Sequence, residues 1–216
     1  MRFLRKLLTD RRGSIPIEGL FGGLLLLGWY AIAFQFYDAF RVRSIATRAT
    51  YVVGDLISRE ANAIGPDYVE GLKKVFDYIS NAPNSNYTWL RVTLISCTAT
   101  NSNLNNCDGK TKLFTLNTAE DDTSVTASYT TNSAVAKHTQ ASINAEADRI
   151  PVMAAGDMAV VVESSYFYWP IFGLGNRAMM LDGKTWTQQG LSSNLRFSSL
   201  AVTRPRGVRT TWDTTK

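Results

Sequence analysis

Between Glu18 and Asp38 the chain runs for 19 residues, GLFGGLLLLGWYAIAFQFY, without a charge. As a helix rising about 1.5 Å per residue the run measures roughly 28 Å, the hydrocarbon thickness of a bilayer. Four successive leucines, Leu24 to Leu27, leave no polar stripe of the kind a half-buried core helix shows. The run predicts a membrane-spanning helix, and the rest of the chain has to be arranged on its two sides. Arg2, Arg5, Lys6, Arg11 and Arg12 precede it; Arg41, Arg43 and Arg48 follow, close to Asp38. Positive charge is retained on the cytoplasmic side, so the N-terminus is expected inside and the residues beyond about position 40 outside.

That placement gives the remaining composition its meaning. The formal charge of +5 is terminal: residues 1–13 carry +4, residues 14–183 carry −4, and the tail from Lys184 carries +5. No stretch interleaves Lys and Arg with aromatics along one element, so nucleic-acid binding is excluded as a reading. At 45% hydrophobic and 19% charged, the chain has the composition of a folded protein, and its 216 residues suit one domain plus one further element. The two cysteines, Cys97 and Cys107, enclose the polar segment TATNSNLNN. In an extracytoplasmic space they are expected to pair, and closing so short a loop stabilises by roughly 2–3 kcal/mol. A metal site is not expected from two cysteines with no histidine nearby.

Four processing fates compete for the N-terminus. A secretory signal peptide would be cut after Ala33 of Ala31-Ile32-Ala33, but apolar residues continue through Phe34, Phe36, Tyr37 and Phe40. A twin-arginine signal lacks its apolar pair after Arg11-Arg12. A plain signal anchor leaves Gly13 and Glu18 unexplained. The fourth fate uses both: Arg11-Arg12-Gly13 is followed by Ser14-Ile15-Pro16-Ile17-Glu18, which places Glu18 fifth after Gly13. A basic leader ending in Gly, with Glu at the fifth position of an apolar N-terminus, resembles type IV-type prepilins. Over residues 10–60, and more weakly in AAGDMAVVVESSYFYWPIF and AVTRPR, the chain resembles the TadE/TadF-like pseudopilins of tight-adherence (Flp) pilus systems. Gly19 stands where major Flp pilins carry an aromatic, and about 150 residues follow the helix. The resemblance therefore implies a minor pilin.

It also implies cleavage between Gly13 and Ser14 by a prepilin peptidase, with other pilin subunits and an inner-membrane assembly platform as partners. The chain would be held single-pass in a bacterial inner membrane with its C-terminal part periplasmic. Gly13 offers a peptidase a backbone without a Cβ, and Pro16 should start the helix at about Ile15 or Pro16. The Glu18 carboxylate, costly in lipid, would find the ammonium of Ser14 of its own or a neighbouring subunit and so set helix register. Gly19, Gly22 and Gly23, with Gly28 further along, would let helix backbones approach closely.

The expected fold is α+β and pilin-like. A basic leader occupies 1–13, and a long helix 14–63 follows with its transmembrane part at about 19–37. An extracytoplasmic α+β domain fills 64–216. Ile45, Ala49, Val52, Val53, Leu56 and Ile57 form the apolar stripe of the helix, which Gly65-Pro66 stops. A second helix is expected over Tyr68–Ile79. Strands are expected at Thr88–Cys97, Thr111–Leu116, Ser124–Thr130, Met158–Tyr168 and Leu195–Thr203, with turns at Asp108-Gly109, Gly156-Asp157 and Asp182-Gly183. Residues 132–150 read as helix or loop.

No catalytic constellation is visible. His138, the single histidine, lies in a polar stretch and reads as exposed; Glu120-Asp121-Asp122 reads as a solvated turn and Gly173-Leu174-Gly175 as no phosphate cradle. The aromatic run Tyr166 to Phe172 reads as core, with a subunit contact as the alternative. The expectation is a non-enzymatic pilus-assembly subunit with no cofactor. An unprocessed, signal-anchored envelope binding protein is the alternative, and a hydrolase cut after Ala33 a distant third.

Overall fold

The computed structural model describes residues 14–97, 114–116, 127–154, 156–170, 179–181, 184–186, 195–207 and 210–215. The chain divides into two compact units, residues 1–41 with 169–193, and residues 42–168 with 194–216. Helix α1, Ser14–Arg59, spans that division. Pro16 sits in its first turn, where a missing N–H costs nothing because that donor has no partner inside the helix. The helix begins at Ser14, the first residue of the expected 14–63 helix, while Gly13 lies outside the described residues.

The far end of α1 is a correction, since the helix stops at Arg59 rather than Ala63. Glu60 N–H closes a tighter turn on the Ile57 carbonyl (3.1 Å), and the Ser58 carbonyl accepts from Arg206 N–H at 2.8 Å. Asn62 donates from backbone and side chain to Glu60, which holds that carboxyl below its usual value. The early stop frees Ile64 to lie fully buried in a bridge beside Trp212, bonded to Thr211 and Asp213. Helix α2, Pro66–Ser80, follows with Pro at its start and Asn81 in the left-handed conformation at its end (φ 51°). Its buried face, Val69, Leu72 and Phe76, falls at helical spacing.

The larger unit is built on one antiparallel sheet, β1 (Thr88–Cys97), β2 (Phe114–Leu116), β3 (Ser128–Thr130), β4 (Met158–Phe167) and, after a separate hairpin, β7 (Arg196–Thr203). The order is β2-β1-β4-β7, with β3 pairing β1 beside β2. This α+β layout, a long apolar N-terminal helix and an antiparallel sheet, agrees with the sequence reading. Strand β4 is buried almost throughout, as a central strand covered on both faces must be. On one face, Leu90, Val92, Leu94, Val160, Val162 and Ala201 pack with α2 and the second half of α1. On the other, Ile95, Ala159 and Val161 pack under Ile143 of the short helix α3 (Gln140–Ala145), Ile150 and Met153. Residues 132–150 thus contain a six-residue helix and a 3₁₀ turn, Ala147–Arg149, between loops.

The stripe that α1 buries differs from the expected one. Ala46, Ala49, Thr50, Val53, Gly54, Ile57 and Ser58 are buried, while Val52 and Leu56 are 42% and 40% exposed. Small and hydroxyl-bearing residues win the inner face because the helix lies close to the sheet. A Cβ on Gly54 would be 3.9 Å from Ala201 and Thr203, and Thr50 Oγ1 is 2.6 Å from Ser164 Oγ.

In the smaller unit, β5 (Met179–Leu181) and β6 (Lys184–Trp186) form an antiparallel hairpin. The sequence predicts a turn at Asp182-Gly183, which lie outside the described residues, but not these two strands. Three-residue strands carry too little alternation to register as a pattern.

Candidate functional site

Two arrangements could carry function, one in each unit. The first is the apolar half of α1. Among the described residues it is the one helix long and apolar enough to cross a membrane. Leu24 to Leu27 are 58–75% exposed, and Phe21, Trp29, Tyr30 and Phe36 are exposed as well. Glu18, at the head of this segment, is exposed, and the side chain of Ser14 lies outside the described ones. A Cβ on Gly19, Gly22, Gly23 or Gly28 would meet nothing within 4 Å. The glycines thus leave open flanks on the helix, where a neighbouring backbone could come close.

The second arrangement is a buried polar cluster that the sequence reading missed. β1 and β4 are in register so that Arg91 stands opposite Glu163 on the face shared with α3. Arg91 Nε donates to Glu163 Oε2 at 2.6 Å, and His138 Nε2 lies 2.7 Å from the same oxygen. His138 Nδ1 is 2.9 Å from Ser142 Oγ, and Arg91 Nη1 donates to the Ala136 carbonyl at 2.8 Å. His138 is 3% exposed, which corrects its reading as a surface histidine. Hydrophilic neighbours in sequence could not reveal that the sheet offers it a carboxylate. Burial alone would raise Glu163, but the hydrogen bonds from His138 and Arg91 and the Arg91 charge outweigh it and hold the carboxyl down at about 2.

Serine, imidazole and carboxylate in a row invite comparison with a hydrolytic triad. Ser142, however, is the third residue of the α3 capping box, its hydroxyl accepting from Thr139 N–H and donating to the Thr139 carbonyl. The His138 backbone N–H in turn donates to Ser128 Oγ (3.0 Å), itself bonded to Thr93. Every member pins the 136–142 segment to the sheet, so the cluster is a clasp. Its one sequence signal was a lone charge of opposite sign in each of two apolar strands, TWLRVTLISC and MAVVVESSYF.

A polar cleft of about 590 Å³ opens beside α2, lined among others by Glu70, Lys73, Lys74 and Thr131. The buried Lys73 ammonium is saturated, donating to Asp77 at 2.6 Å, the Ser85 carbonyl at 2.9 Å and Thr88 at 3.2 Å. Among the described residues no group of three His, Cys, Asp or Glu could hold a metal ion. Cys97 closes β1 and is not a free thiol; Cys107 lies outside the described residues. The basic tail meets the protein itself, with Arg204 on Asp157 (3.0 Å) and Arg206 on Asp55 (2.9 Å). Of the aromatic run, Tyr166 and Tyr168 are core, Trp169 is exposed, and residues 171–172 lie outside the described residues.

Comparison with known protein families, with curated proteins and with solved structures finds no match to this chain.

Proposed function

We propose that this chain is a non-enzymatic, membrane-anchored assembly subunit of the minor-pilin kind, resembling TadE-like pseudopilins. In this reading it is cut between Gly13 and Ser14 by a prepilin peptidase and passes its apolar helix from lipid into a stack of pilin helices. The observation that carries the proposal is the continuity of α1. Its first half is apolar and exposed, and its second half supplies Ala46, Ala49, Val53 and Ile57 to the core of the larger unit. One element thus carries both the apolar segment a pilin stack would take up and a face of the folded core.

The remaining assignments belong to the same proposal. Glu18 takes an ammonium partner in the stack, Gly19, Gly22 and Gly23 admit neighbouring helices, and Cys97 pairs with Cys107 in the periplasm. The test is the N-terminal residue of the protein recovered from membranes with and without an active prepilin peptidase. Peptidase-dependent appearance of Ser14 as the first residue is the expected result. An intact Met1 whether or not the peptidase is active would leave an unprocessed envelope anchor instead.

A further inference from the structure

The end of the sheet at which α1 enters the larger unit carries a row of aromatic and arginine side chains. Thr47 meets Ser199 at 3.1 Å, and Gly54 lies against Ala201 and Thr203. Seven residues of helix and three of strand thus advance together, each by about 10 Å. By the same measure Val42, where the unit begins, is level with Phe197. Across the sheet that level is Tyr166 and Thr88. Here Arg196 lies over the Phe167 ring (5.2 Å), Phe167 stacks on Tyr87 (5.4 Å), and Trp89 lies one residue further along β1. Arg43 is exposed on α1, and Tyr78, 87% exposed, follows Asp77, which bonds Thr88.

Of the acids near this row, Asp77 is compensated by Lys73 and Glu163 by Arg91 and His138. Arg43 and Arg196 therefore give the row a positive field. The apolar run ends at Tyr37, so even a fully extended chain would keep Val42 within about 17 Å of it. Guanidinium groups match phosphate, and Trp and Tyr rings favour the water–lipid boundary.

We propose that this end of the sheet docks on anionic phospholipid headgroups, through Arg43 and Arg196 with Tyr78, Tyr87, Trp89 and Phe167 at the boundary. The proposal rests on the apolar run spanning a bilayer. Each arginine is expected to favour the docked arrangement roughly fivefold over an anionic surface.

The test uses the full chain in lipid nanodiscs, bearing a bimane label at Ser198→Cys in the row or at Asp148→Cys beneath the opposite end of the sheet, with a nitroxide on the lipid headgroup. Retention of the chain in membranes through alkaline extraction is measured first. Docking predicts stronger quenching at position 198 than at 148, rising as phosphatidylglycerol replaces phosphatidylcholine. In Arg43→Gln/Arg196→Gln the difference is lost. Retention with equal quenching at both positions, or quenching at 198 indifferent to lipid charge and to the double substitution, overturns the docking surface alone. Extraction at alkaline pH overturns the spanning reading and the docking surface with it.

Discussion

Arg91, His138 and, through them, the 136–142 segment all close on the one carboxylate of Glu163. Its carboxyl is held at about 2 against an ordinary 4.5, so the folded state favours the charged form. The resulting stabilisation is complete above about pH 4.5 and is lost as pH falls through 2, with on the order of 3 kcal/mol at stake. Thermal unfolding of the detergent-solubilised chain should fall across that window, and Glu163→Gln should flatten the fall while lowering stability at neutral pH. An equally steep acid loss in the variant would place the effect on other carboxylates. Thr50 and Ser164 offer a second measurement at this scale, being buried hydroxyls 2.6 Å apart between helix and sheet. Thr50→Val alone strands Ser164 and should cost about 1–3 kcal/mol; adding Ser164→Ala should recover part of it, a coupling that a double-mutant cycle in urea reads directly.

Among the elements, α1 shows how closeness decides side-chain size. Gly54 faces β7 with just enough room for a methyl group, whereas Gly71 on α2 has open surroundings. Gly54→Ala and Gly71→Ala should each be neutral or stabilise by up to about 1 kcal/mol through helix propensity, while Gly54→Leu should cost about 1–3 kcal/mol by forcing the helix off the sheet. Melting temperatures of the three variants test this, and a Leu at 54 as stable as Ala would show the helix free to shift. The periodicity of this segment announced a helix with a buried side. It did not announce that Val52 and Leu56 would lie off that side and Thr50 and Ser58 on it. Hydrophobicity ranks residues by transfer cost, whereas a helix pressed on a sheet selects for small volume and for hydroxyls that can reach a partner. The end of α1 escaped for a similar reason, because the partner that ends it, the bridge of Ile64 to Trp212, comes from the other end of the chain.

At the scale of the whole molecule, α1 joins an apolar half to a half that belongs to a folded core, and the proposed function is a use of that join. Gly13→Leu should block peptidase cleavage without altering membrane retention, read as intact precursor mass in the membrane fraction. Glu18→Ala should permit cleavage but abolish incorporation into filaments, read by recovery of the subunit with sheared pili; undiminished incorporation would remove Glu18 from the register role. What the sequence determined by itself were the features set by local physics: a run apolar enough to span a bilayer, the α2 periodicity, and strands β1, β4 and β7 to within a residue or two at their ends. Each depends on neighbours a few positions away, through hydrogen bonds within a helix or alternation along a strand. Only the tertiary structure decided that Arg91 faces Glu163, that His138 is buried between them and Ser142, and that the aromatic–arginine row lies where α1 enters the larger unit. Those facts are fixed by strand register and by which surfaces meet, and a one-residue slip of β4 would place Glu163 on the opposite face of the sheet.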